Sequence, residues 1–485
     1  MSTMLETPVP TRTRRRIPVW LAIIAASLPM FMATLDNLVM TNALPSIRLD
    51  LNASVEELQW FVNAFTLSFA TFILMAAALG DRFGRRNVFV IGIVIFTAAS
   101  VFSALSTEPW MLIASRAVQG LGAAAVMPLS LTLLVGSVED RFRALAIGIW
   151  GGITGLGVAL GPLVGGAVVE GWNWEAIFWL NVPVGIVAIP LALLALPNTF
   201  GAKVRADVVG VLLVGLGVLG LVFGIVRGND AGWGSFEVDG ALIAGAALIA
   251  AFIWWESRTA APLLPLRLFR DRSFSVANIV GLAFSFGVFG SIFILIQFLQ
   301  VVQGYTPLGA GVATMPWTLA PMVIAPLAGL VAPRVGTRLL IIVGLTFQTI
   351  GIFWLAATMS ADVAYTTMLP AFIFAGVGMG LVFAPLSTAV LATMKSTDHA
   401  KASGTNSTLR EIGVALGIAV LTAVFVGAHG SLTPTGYVGA AVPAVFTGAG
   451  VLALSALIAF LFPAGRAATS LDAASPTKAA SAPSI

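Results

Sequence analysis

The sequence predicts an all-helical integral membrane protein of fourteen spans: two six-helix bundles, spans 1–6 and 9–14, with two helices inserted between them. Three observations predict it. Hydrophobic residues make up 58% of the 485-residue chain and charged residues only 9%, where a soluble domain carries about 25% charged residues. Apolar runs long enough to cross a bilayer recur along the whole length. Finally, the stretch GDRFGRR at 80–86 returns as APRVGTR at 332–338, placing Arg82, Gly84 and Arg86 over Arg334, Gly336 and Arg338. The same offset carries Gly161 and Gly165 onto Gly413 and Gly417. Two pairs at one offset indicate an internal duplication.

In chain order, the first half has runs at 18–41, 57–79, 88–106, 110–136, 144–168 and 176–196, followed by 208–227 and 239–256. The rest fall at 275–300, 308–331, 338–358, 364–391, 404–427 and 438–462. The first run follows Arg12, Arg14, Arg15 and Arg16, contains Asp36 and ends in no small-residue cleavage site, so it reads as a retained span. Of the 25 Lys and Arg residues, only Arg48 and Arg227 fall on the side opposite the N-terminus, and only Arg116 and Arg410 fall inside spans. That bias predicts both termini in the cytoplasm of a plasma-membrane protein. The expected organisation is a tail (1–17), an N-terminal bundle (18–200), two inserted helices (201–257), a linker (258–274), a C-terminal bundle (275–463) and a disordered tail (464–485). Trp172, Trp174 and Trp233 in outer connections are expected to form an interfacial belt.

Several function classes drop out. The pI near 9.8 reflects basic loops between spans rather than a nucleic-acid patch. With no cysteine and only His399 and His429, thiolate and histidine-rich metal sites are excluded. Gly215, Gly217 and Gly220 match GxGxxG inside an apolar span with no preceding strand, and so do not bind a dinucleotide. There is no P-loop, HExxH or GxSxG. No cofactor and no nucleotide is expected.

The six-plus-six parallel duplication with GDRFGRR after span 2 resembles the major facilitator superfamily. LDNLVMTNALPSI (35–47), RAVQGLG (116–122), GPLVGG (161–166), WNWEAIFWLNVPVG (172–185) and the two inserted spans resemble its fourteen-span drug:proton antiporters. The resemblance runs from Val19 to Pro463. Pro333 stands where the first copy of the turn has Asp81, so a charge relay through that acid is expected only in the N-terminal half.

Two pairs of charges lie well inside spans, away from their ends. Asp36 sits in an apolar run, where a carboxylate is costly and faces a cavity or a partner. At 1.5 Å per residue it lies about 9–12 Å below the outer end of span 1, and Arg116 about 9 Å below the same surface. The pair reads either as a structural ion pair or as a carboxylate whose proton affinity changes with access, which is the reading the resemblance favours. Arg410 and Glu411, about one and a half turns from the cytoplasmic end of span 13, either snorkel or act in proton coupling. The Asn406–Gly417 stretch resembles a recurrent N-x-x-x-R-x-x-G pattern of the family, and Glu411 is a candidate second protonation site.

The turn residues Gly80, Asp81, Arg82, Gly84, Arg85 and Arg86 mark the cytoplasmic side. By resemblance they also form a latch against the other half. Gly157, Gly161, Pro162, Gly165 and Gly166 lie on a small-residue face of span 5 that suits close helix packing; the resemblance adds a seal that favours antiport. Phe31, Asn63, Phe65, Gln119, Phe293, Gln297, Met315 and Trp317 are candidates for an apolar substrate cavity between the halves.

The expected function is a secondary active exporter. Protons enter while a small lipophilic compound leaves, the proton gradient supplies the energy, and the partners are the substrate, protons and the bilayer for a monomeric chain. An exporter of a lipid or endogenous metabolite is the alternative within transport. A membrane receptor would carry a further soluble domain, and an enzyme would need a nucleophile–base pair that Asp36 and Arg116 do not supply.

Overall fold

The computed structural model describes residues 18–201, 207–260, 262–394 and 398–463. The N-terminal tail with Arg12, Arg14, Arg15 and Arg16, the C-terminal tail from 464, Lys203, Arg205, Lys395 and the side chains of Arg141 and Arg143 lie outside the described residues. Thirteen described helices are long and apolar enough to cross a membrane. A fourteenth is reached when the pair Gly148–Gly157 and Leu160–Gly171, bent by 42°, is taken as one span. They are α1 (Val19–Leu51), α2 (Val55–Phe83), α3 (Arg85–Ala104), α4 (Pro109–Ser137), α5 (Asp140–Gly171), α6 (Ala176–Ala195), α7 (Val208–Ala231) and α8 (Phe236–Glu256). The second half has α9 (Arg272–Val302), α10 (Pro307–Val335), α11 (Thr337–Thr358), α12 (Tyr365–Leu391), α13 (His399–Gly427) and α14 (Pro434–Ala459).

Local chemistry fixes several ends. Ser54 accepts from the Glu57 amide while the Glu57 carboxylate accepts from the Ser54 amide, so a reciprocal cap starts α2. Gly84 ends it with φ +100°, a conformation that suits glycine. Asn52 closes α1 in the left-handed region at φ 50°.

The packing obeys the duplication. In the first half α1 lies against α5 and α6, and α4 against α2 and α3; in the second, α9 lies against α13 and α14, and α12 against α10 and α11. Arg86 donates to the carbonyls of Leu193 and Leu196 at the end of α6, and its repeat mate Arg338 donates to that of Phe460 at the end of α14. A Cβ on Gly161 or Gly165 would strike α1, and one on Gly413 or Gly417 would strike the α9 backbone. Both bundles therefore lean on their first helix through glycine.

Two seams join the bundles, α5 with α10 and α2 with α13, and these pairs exchange under the repeat. The inserted α7 covers the second seam, packing Val214, Val218 and Val222 with Leu67 of α2 and Ala415 and Ala419 of α13. We call the end with the Asp81–Arg86 turn the basic end and the opposite one the far end.

Three expectations need correction. Span 1 does not stop at 41: α1 runs to Leu51, because Asn42 finds buried acceptors in other helices and does not end the helix. Asp36 therefore lies about 22 Å from the end of α1 at 1.5 Å per residue. Similarly, α13 starts at His399, so Arg410 and Glu411 lie about three turns from its first residue rather than one and a half. Trp174 leaves the expected belt. It is 4% exposed and donates its indole N–H to Asp50 at 2.8 Å, whereas Trp172 and Trp233 are exposed.

Candidate functional site

Four helices of the first bundle converge on Asp36, which is 5% exposed. Arg116 of α4 donates Nη1 to Oδ2 at 2.5 Å and to Oε1 of Gln119, one helical turn on, at 2.6 Å. Gln119 then donates its amide to Asp36 Oδ1 at 2.9 Å and to Ser100 Oγ of α3 at 2.9 Å. Asn181 of α6 donates to the same Oδ1 at 2.7 Å. The Arg116 Nε donates to the Phe61 carbonyl at 3.1 Å, and the guanidinium lies 4.4 Å from the centroid of the Phe65 ring. The carboxylate thus receives three donors, as a charge held away from water must. Arg116 Nη2 is buried and has no hydrogen-bond partner.

The sequence placed Asp36 and Arg116 at one depth, and the structure joins them. It also moves Gln119 and Phe65 from the expected cavity wall into this network. Asn181 and Ser100 were not foreseen; Asn181, an amide in the apolar stretch NVPVG, was the available signal.

Among the described residues, the second bundle has no equivalent closure. Arg410 is half-buried: its stem packs beside Gly281, its guanidinium lies 4.5 Å from the Phe383 ring centroid, and its Nε has no hydrogen-bond partner. Glu411, also half-buried, is adjacent in sequence without forming an ion pair to it. Asn406, one turn earlier, donates to Asn278 of α9 at 3.3 Å.

The latch residues find their partners at home. Asp81 pairs with Arg85 at 2.7 Å, the Arg85 amide donates to the Thr199 carbonyl, and the Gly201 amide donates to that of Asp81. Gly80 packs under Leu129, and Arg82 lies over Phe83. Among the described residues, these bonds tie the turn to the end of α6 and the loop after it rather than to the other half, because Gly84 turns α3 directly towards that helix end.

The glycine face of α5 divides. Gly157, Gly161 and Gly165 pack on Phe31, Leu38 and Val39 of α1, and Gly166 meets Pro307 and Leu308 of α10. In return Gly311 of α10 meets the backbone of Pro162 and Leu163. Towards the basic end, Cβ atoms on Gly148, Gly151, Gly152 and Gly155 would meet nothing within 4 Å, nor would one on Gly329 of α10. Among the described residues, this seam is closed at the far end and parted at the basic end.

The remaining cavity candidates separate. Phe31 is half-buried beside Gly157. Asn63 is fully buried, and neither of its amide atoms has a hydrogen-bond partner. Phe293, Gln297 and Trp317 are packed inside the second bundle, Gln297 donating to the Phe293 carbonyl. Met315 lines a shallow groove of about 430 Å³ with Val312, Leu319 and Ile373 on the apolar surface.

Residues 24–418 match the family model described as Major Facilitator Superfamily. The chain belongs to the major facilitator superfamily. This superfamily member is 35% identical over 406 residues to the multidrug resistance protein Stp of Mycobacterium tuberculosis, a match covering 83% of this chain and 75% of the relative. It is 31% identical over 428 residues to the tetracenomycin C resistance and export protein of Streptomyces glaucescens, covering 88% and 79%. The methylenomycin A resistance protein of Bacillus subtilis is 31% identical over 446 residues, covering 91% and 93%. In fold the chain is similar to an auto-inhibited POT family peptide transporter (TM-score 0.64, 17% identity, 92% and 96% of the two chains). The xylose transporter XylE of E. coli, in a partially occluded inward-open conformation, gives TM-score 0.61 at 15% identity, with 92% and 97% covered. The superfamily and these relatives are membrane transporters.

Proposed function

We propose that this transporter is a proton-coupled exporter of lipophilic small molecules such as antibiotics, working by alternating access between its two bundles. The observation that carries the proposal is the buried Asp36 network. The Asp36 carboxylate has a guanidinium and two side-chain amides as its partners, supplied by Arg116, Gln119 and Asn181. Helix movement that draws Arg116 away would remove the cationic partner of this buried acid. One residue then binds a proton in one arrangement and releases it in the other, and the proton gradient becomes the energy source. Arg410 and Glu411 of α13, the former with an unpartnered Nε, serve as the second polar element of the cycle, and Glu411 is its second candidate acid.

The basic end is cytoplasmic, since Lys and Arg are retained there. The α5–α10 seam, parted at that end and closed at the other, fits a chain open to the cytoplasm and sealed outside. Substrate enters between the bundles and meets mostly apolar wall, including Phe31, so it is selected by size and shape more than by hydrogen bonds. The names of the relatives, resistance to several drugs, to tetracenomycin C and to methylenomycin A, favour antibiotics over lipids as cargo.

The test is efflux in inverted membrane vesicles with an imposed pH gradient, using a panel of neutral antibiotics and lipophilic cations. Uptake that collapses with a protonophore is expected. Uptake indifferent to the gradient refutes proton coupling, and no uptake of any compound refutes drug export.

A further inference from the structure

Asn42 is fully buried at the far end of α1. It joins four helices from both bundles. Its side-chain amide donates to the Pro162 carbonyl of α5 at 2.8 Å and to the Pro307 carbonyl of α10 at 2.8 Å. Gln300 of α9 donates to both the Asn42 carbonyl and its Oδ1, at 2.9 and 2.8 Å. Gln300 lies in a π-helical stretch, Phe298–Val302. Such insertions re-aim side chains and recur at functional positions. The same level holds the closest backbone approaches of the seam, Gly166 to Pro307 and Gly311 to Pro162. Nearby, the Leu308 amide donates to Glu170 and Arg48 donates to the Leu432 carbonyl, again from one bundle to the other.

We propose that Asn42 and Gln300 form a hydrogen-bonded outer gate, with Asn42 as the positioning residue that links the gate to the proton site. The reading of outside and of proton coupling rests on the proposed function above. Asn42 follows Asp36 by six residues, about 9 Å along one helix. Helix α1 is therefore held at Asp36 by α4 and α6, and at Asn42 by α5, α9 and α10. Loss of the Arg116 bond on protonation frees α1 to move, and that movement acts directly on the gate. Every group in the gate is a neutral amide or carbonyl. When the outside opens, water replaces each partner, so the gate parts without stranding a charge.

Asn42→Asp is the sharpest variant because it keeps the shape and removes both N–H donors, leaving oxygen facing two carbonyl oxygens. Gln300→Leu removes the partner from the other bundle and guards against misfolding of the first. The chain has no cysteine, so Trp172→Cys and Asp362→Cys, exposed at the far end of opposite bundles, give a unique spin-label pair. Distances are measured by pulsed electron resonance in nanodiscs, without substrate or gradient. A longer-distance population is expected to appear in both variants, with each protein still monodisperse. Distributions that superimpose on the unsubstituted gate in both variants overturn the proposal; if Asn42→Asp is not recovered, Gln300→Leu decides alone. The readout needs no transport, so a failure of the drug-export reading in vesicles leaves the gate standing, and the reverse also holds.

Discussion

The two bundles share a scaffold and differ in their charges. Arg86 and Arg338 bind the end of the sixth helix in their own half, and Gly161 and Gly413 seat equivalent helices on the first helix. Yet the first half closes three donors around one buried acid, whereas the second leaves Arg410 Nε without a hydrogen-bond partner. Duplication has preserved packing, which tolerates little change, while the polar interior has diverged. A saturated site can hold a state. An unsaturated one can take a ligand or a proton. On this account the first bundle carries the switch and the second adapts to cargo.

The comparison can be broken at several levels. The largest effect is all-or-none. If the halves lie parallel, Arg82→Cys and Arg334→Cys react with an impermeant maleimide from the cytoplasmic side only, and labelling of one from each side makes them antiparallel. Next comes Arg116→Ala, which strands a buried carboxylate and should cost about 3–5 kcal/mol, read as a large fall in melting temperature. Asn181→Ala removes one hydrogen bond to a charged group and should cost about 1.5–3 kcal/mol in the same assay. Arg410→Ala loses only stem packing and an aromatic contact, so about 1 kcal/mol is expected. An Arg410→Ala loss as large as that of Arg116→Ala would erase the distinction between the halves. Glu411→Gln should weaken proton-driven efflux without abolishing it.

Much of this was legible in the sequence, for physical reasons. A lone charge in an apolar run must have a partner, and that singled out Asp36 and Arg116. Arginines in short loops gave the alternation of spans. What escaped was non-local. The run at 18–41 gave no sign that the helix continues to Leu51, with Asn42 bonded to Pro162 and Pro307. Trp174 looked like an interfacial anchor because the Asp50 that buries it lies far off in the chain. Gln119 looked like cavity wall because nothing local reveals that its amide bridges Asp36 and Ser100. Likewise the latch residues kept their predicted place and found partners in the wrong half from the one expected, since side-chain reach across a turn is not written in composition.

The central claim is that Asp36 carries the coupled proton, and Asp36→Asn tests it most directly. This variant keeps the side chain's size, so the comparison is made on protein of unchanged yield and monodispersity, with substrate binding followed in parallel. Efflux driven by a pH gradient in inverted vesicles should be abolished while binding persists. Full gradient-driven efflux in Asp36→Asn would contradict the account and move the proton to Glu411.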